Sequence, residues 1–93
     1  MEQKRDGSMK DEYIERMIKN LPLLRAAVGF TQVQLGKKIG MSRQIIVAIE
    51  NRKHPLSWSL YLAIVCVFQQ YEESKILLDS FNLFDSEFVR NVF

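Results

Sequence analysis

The stretch Thr31 to Asn51, TQVQLGKKIGMSRQIIVAIEN, constrains the fold more than any other part of the chain. Leu35 and Ile39 lie four residues apart and share one helical face; Ile46 and Ile49 lie three apart and share another. Between the pairs stands Gly40-Met41-Ser42. A glycine after a helical run supplies the left-handed residue that ends it. A serine next offers its hydroxyl to the free N–H groups of the following helix. The spacing therefore predicts a short helix, a tight turn and a second short helix. Thr31 and Gln34 fit the T-x-x-Q capping box that starts the first of them. Gly36 falls mid-helix, where glycine costs roughly 1 kcal/mol against alanine. It marks a place where the second helix crosses too closely for a larger side chain, or a position that tolerates anything small.

Together these features describe a helix-turn-helix, the supersecondary unit that can lay its second helix in a DNA major groove. The order Gln32, Leu35, Gly36, Ile39, Gly40, Ile46, Ile49, Glu50, Asn51, preceded by Leu24-Arg25, resembles the Cro/cI-type (Xre) helix-turn-helix family. The resemblance covers roughly residues 17 to 68. It implies a lambda-repressor-like DNA-binding domain. Two positions depart from the family. Gly36 stands where alanine is usual, a change expected to be harmless. Arg52 stands where glycine usually follows Glu-Asn, adding a positive charge near the expected phosphates.

Ninety-three residues, 47% of them hydrophobic, suffice for one compact domain. Two prolines and four glycines argue against a β-rich or disordered chain. The expected class is all-α, a bundle of five to six short helices. Its divisions are a flexible leader at 1–10, the DNA-binding domain at 11–68 with its helix-turn-helix at 31–51, and a C-terminal helical extension at 69–93 suited to dimerisation. The longest apolar run, Leu60 to Phe68, is far short of the roughly 18 to 20 residues of a membrane span. With a polar, charged N-terminus, the chain reads as cytoplasmic. Cys66, the only cysteine, lies in that apolar run and reads as a buried small hydrophobe.

From Asp11, the positions Ile14, Met17, Ile18, Leu21, Leu24 and Val28 follow helical spacing. Pro22 predicts a kink or a break at Asn20–Leu21. Ser57 caps a helix from Trp58 to Phe68 that is apolar nearly all round, so it should form the centre of the core. Trp58 and Tyr61 are expected at its edge, with N–H and O–H near solvent. Gln69 to Glu73 reads as a loop. Ser74 to Phe81 reads as a helix with Ile76, Leu77 and Phe81 inward, and Asp85 or Ser86 caps a last one.

The charge is uneven. Residues 31–54 hold Lys37, Lys38, Arg43, Arg52 and Lys53 against Glu50 alone, whereas 69–93 carry a net −3. A positive helix-turn-helix with an acidic tail elsewhere fits a nucleic-acid face and a separate partner face.

Base edges are read from the start of the second helix. Arg43 can pair bidentately with guanine and Gln44 with adenine, and Val47 and Ala48 can touch a thymine methyl. For phosphates the candidates are Thr31, Gln32, Lys37, Ser42, Asn51, Arg52 and Lys53, with Lys38 weaker; Gln32 resembles the family's phosphate-contacting glutamine. Arg25 and Glu50 match the family's ion pair between its first and third helices. His54 reads as a plain loop residue or a phosphate contact. The sequence holds no recognisable catalytic set and implies no metal, cofactor or small-molecule ligand. The expected function is double-stranded DNA binding by a homodimeric transcriptional repressor. The alternative is a protein-interaction module or antitoxin-like component on the same scaffold.

Overall fold

The computed structural model describes the backbone from Glu2 to Phe93 and the side chains from Met9 onward. Among the described residues six helices follow in order: α1 Glu2–Val28, α2 Gln32–Ile39, α3 Arg43–Glu50, α4 Trp58–Phe68, α5 Glu72–Ser80 and α6 Ser86–Val92. No strand occurs among the described residues. The fold is all-α.

Local signals place most of the boundaries. Ser57 accepts from the Leu60 N–H at 3.1 Å and opens α4. Asp85 accepts from the Phe88 N–H at 2.8 Å and opens α6. Each side chain satisfies a donor that the first turn of a helix leaves unpaired.

α1 departs from the sequence expectation at its start. It runs back to Glu2, through the stretch 1–10 expected as a leader; Met1 lies outside the described residues. It also continues through Pro22 without a break. Pro22 itself is exposed, while Met17, Leu21 and Leu24 are fully buried. Each buried side chain contributes about 1.5–3 kcal/mol. Together they outweigh the roughly 3 kcal/mol cost of an interior proline.

α4 is the centre. Leu60, Tyr61, Ile64, Val65, Val67 and Phe68 are buried, against Met17, Leu21 and Leu24 of α1 and Leu35, Ile46 and Ile49 of the helix-turn-helix in one cluster. Two expectations fail here. Tyr61 is not at the edge: it is fully buried and its hydroxyl donates to the Leu83 carbonyl at 2.6 Å. Burial raises its pKa above the ordinary 10.0, with the Tyr13 hydroxyl adding to the effect. Cys66, conversely, is exposed. A helix apolar on every side carries no periodicity to say which residue faces out. Trp58 is half-buried and stacks on Tyr61 at 4.8 Å, with the Lys10 ammonium over its ring.

α5 begins at Glu72, two residues before the Ser74 start that its sequence suggests. The Ser74 hydroxyl is fully buried and donates to the Phe68 carbonyl at 2.7 Å, closing α4 instead of opening α5. Glu72 and Glu73 occupy the first turn, where the helix dipole favours acids. Ser74 and Leu78, one turn apart, face inward; Ile76 is 57% exposed, contrary to expectation. Beyond α5, Leu83 and Phe88 are fully buried. Phe88 stacks on Tyr61 and meets Tyr13 edge-on at 4.8 Å. Residues 83–88 therefore complete the core that the N-terminal half of α1 opens. Arg16 adds a tie, donating to the Asn82 carbonyl at 2.8 Å.

Candidate nucleic-acid interface

The interface is built on α2 and α3. Thr31 accepts from the Gln34 N–H at 3.1 Å, and Gln34 Oε1 accepts from the Thr31 N–H at 2.8 Å, so the capping box is closed in both directions. Gly40 ends α2 with φ 74° and donates to the Gly36 carbonyl. Met41 N–H reaches the same carbonyl at 2.8 Å. Ser42 then accepts from the Ile45 N–H at 3.3 Å and opens α3. Leu35, Ile46 and Ile49 are fully buried between the two helices and the rest of the core.

Gly36 sits at the tightest point. A Cβ there would fall on the Met41 carbonyl oxygen, inside contact distance, and 3.6 Å from Ile46 Cγ1. The crowding comes mainly from the backbone of the turn, not from a crossing helix. Glycine fits this turn without a shift of the Met41 backbone.

With that face buried, the opposite one is presented. Arg43 and Gln44 are exposed at the start of α3; Val47 and Ala48, one turn on, are half-buried. Ser42, Thr31, Lys37 and Lys38 are exposed, and the Lys38 ammonium lies 5.8 Å from the Phe30 ring centre. Lys37 and Lys38 occupy the last turn of α2, where cations suit the helix dipole.

At the far end of α3, Asn51, Arg52, Lys53 and His54 form an exposed loop. Its shape is held by backbone bonds: Arg52 N–H to the Ile49 carbonyl at 3.0 Å and Lys53 N–H to the Ala48 carbonyl at 2.7 Å. Arg52 takes φ 64°, the left-handed region, and its guanidinium pairs with Glu15 of α1. Nothing local in the sequence signals Glu15, which lies far from Arg52 along the chain. His54 Nδ1 lies 2.7 Å from the Pro55 carbonyl, a contact within the loop.

Behind this surface, Arg25 donates to Glu50 through Nε to Oε2 at 2.8 Å and Nη2 to Oε1 at 3.0 Å. Gln32 Nε2 donates to Glu50 Oε1 at 3.1 Å. Gln32 thus spends one amide N–H on Glu50 and keeps its second N–H and its carbonyl oxygen for other partners. Most candidates fall into three groups: Thr31 and Gln32 at the head of α2, Ser42, Arg43 and Gln44 at the head of α3, and Asn51 to Lys53 beyond its end; Lys37 lies in the last turn of α2 and Val47 and Ala48 within α3. At 1.5 Å per residue the last two groups lie about 12 Å apart along α3.

A helix-turn-helix family model of the Cro/cI type matches residues 23–72. The chain belongs to this family. No curated protein and no solved structure matches it significantly. The helix-turn-helix family is a DNA-binding, non-enzymatic domain type. Its match begins in the last third of α1 and ends where α5 begins, so the N-terminal part of α1 and nearly all of α5 and α6 lie beyond it. Those outer parts supply Tyr13, Met17, Leu78, Leu83 and Phe88 to the core of this helix-turn-helix protein. Among the described residues, no group of three His, Cys, Asp or Glu could hold a metal ion, and no helix is long and apolar enough to cross a membrane.

Proposed function

We propose that this protein is a sequence-specific, double-stranded-DNA-binding transcriptional repressor that acts as a homodimer in the cytoplasm. The observation that carries the reading is the head of α3. Ser42 caps it, the buried Ile46 and Ile49 fix its rotation, and Arg43 and Gln44 stand exposed from it. These two side chains are those best suited to bidentate readout of guanine and adenine. Thr31, Gln32, Lys37, Ser42, Asn51, Arg52 and Lys53 flank it as phosphate contacts. One such unit reads few base pairs, which favours two copies on half-sites about 34 Å apart. Support for a second copy comes from apolar surface on α4 and at the two ends of α6: Leu62, Val65, Cys66, Phe84 and Phe93 line one open groove, and Phe93 is 76% exposed.

Selection of bound duplexes from a random pool, followed by titration in rising salt, tests the proposal. A common site should emerge, and affinity should fall steeply as counterions are released. A second reading, a protein-interaction module, draws on the half-buried Ile45, Val47 and Ala48, which leave α3 few polar groups. It is favoured if no site emerges and salt leaves the protein's binding to its partners unchanged.

A further inference from the structure

Arg52 holds two unusual features at once. Its backbone is left-handed, φ 64°, a conformation that a glycine takes at no steric cost and other residues take only under strain. Its side chain reaches back to α1 and pairs with Glu15. The pair does little for the fold, because its side chains are 48% and 61% exposed and solvent screens them. The backbone gains nothing from an arginine here either. What the arginine adds is a positive charge on the loop that follows the recognition helix, beside Asn51 and Lys53. Glu15 partly offsets that charge in the free protein. Asp11, Glu12 and Glu15 line one shallow, open depression on this part of α1 together with Arg16 and Lys19, so the acid lies on a charged, solvent-exposed surface.

We propose that Glu15 is an internal counter-anion for Arg52, which a DNA phosphate must displace, so that α1 sets the strength of DNA binding. This rests on the DNA-binding reading given above. The exchange swaps one carboxylate partner for one phosphate. It also leaves the Glu15 carboxylate close to the phosphate chain, where like charges repel. Both effects weaken binding. Arg52 then contributes less counterion release than an uncompensated arginine would, because part of its charge is already neutralised.

The test measures binding of a random-sequence duplex as a function of salt for the wild type, Glu15→Gln, Arg52→Gln and the double variant. Glu12→Gln serves as a control for general charge, and a thermal melt verifies that each variant folds. Glu15→Gln should bind roughly two- to fivefold tighter at low salt, the size of one exposed charge pair. Its plot of log K against log salt should steepen by up to about 0.9, one phosphate contact. In the Arg52→Gln background the same substitution should gain clearly less, keeping only the relief of repulsion between Glu15 and the phosphate chain, and Glu12→Gln should change both quantities less. The proposal is overturned if Glu15→Gln leaves affinity and slope unaltered. Weaker binding by Glu15→Gln also overturns it and makes Glu15 a residue that positions Arg52 toward the phosphate. An equal gain with and without Arg52 overturns it too, as plain repulsion between α1 and DNA. If the wild type binds no duplex at any salt concentration, the DNA-binding reading fails with it; every other negative outcome leaves that reading standing.

Discussion

Arg25 and Glu50 meet face to face across α1 and α3, joined by two parallel hydrogen bonds of 2.8 and 3.0 Å. Their side chains are only 17% and 8% exposed. Arg25 also donates from Nη1 to the Phe30 carbonyl at 3.1 Å, and Gln32 gives Glu50 a third hydrogen bond. One charge pair therefore joins α1, the loop before α2, α2 and the end of α3. Removing either partner leaves the other charge largely buried without a counter-charge. Arg25→Ala and Glu50→Ala should each cost about 3–5 kcal/mol, and the double variant clearly less than their sum. Chemical denaturation of the four proteins measures this. Additive effects, each under about 1 kcal/mol, would mean that the pair is no more than a surface contact.

Readout should depend on Arg43 and not on the flanking lysines. Arg43→Ala should cost about 1–3 kcal/mol on the preferred site and relax one base position. Lys53→Ala should weaken binding to all duplexes about equally. Competition binding with single-base variants of the site separates the two. Unchanged base preference in Arg43→Ala would displace α3 from the major groove.

Gly36 gives a third expectation with opposing terms. Alanine would gain about 1 kcal/mol of helix propensity. Its methyl group would press on the Met41 carbonyl oxygen, and crowding of this kind costs about 1–3 kcal/mol. Backbone yields less readily than a side chain, so Gly36→Ala should destabilise. A urea melt in which the variant is the more stable protein would show that the turn relaxes freely.

Tyr61 makes stability fall at high pH. Its folded-state pKa lies above the unfolded value of 10.0, chiefly through burial. The folded protein therefore holds the phenolic proton more tightly. This contribution is complete below the unfolded pKa and is lost as pH rises through the folded one. Tyr61→Phe should lose about 1–3 kcal/mol near neutral pH, because the Leu83 carbonyl loses its donor. It should also show a shallower alkaline decline than the wild type. Parallel declines would assign the pH dependence to other groups.

Assembly is tested by two phenylalanines of one segment. Phe88 is fully buried and Phe93 is 76% exposed. Phe88→Ala should destabilise by about 3–5 kcal/mol, the range for a buried aromatic. Phe93→Ala should leave the melt nearly unchanged and shift sedimentation toward the monomer. If Phe93→Ala sediments as the wild type does, α6 is not part of a dimer contact. Deleting the whole segment would not separate these roles, since Leu83 and Phe88 close the core.

Signals that act within three or four residues could be read directly from the sequence. The Thr31–Gln34 box, the left-handed Gly40, and the Ser42, Ser57 and Asp85 caps each satisfy a backbone group close by in the chain. The helix-turn-helix and the exposed Arg43 and Gln44 followed from them. Tertiary structure decided the rest, because there the partner is distant or the pattern has no phase. α4 is apolar all round, so only its neighbours determine that Tyr61 points in and Cys66 out. The sequence started a helix at Ser74, but folding buries its hydroxyl against the Phe68 carbonyl at 2.7 Å and α5 begins two residues earlier. Arg52 carried its charge openly in the sequence, but its partner Glu15 lies on another helix. Only the packing of α1 against the end of α3 brings the two together.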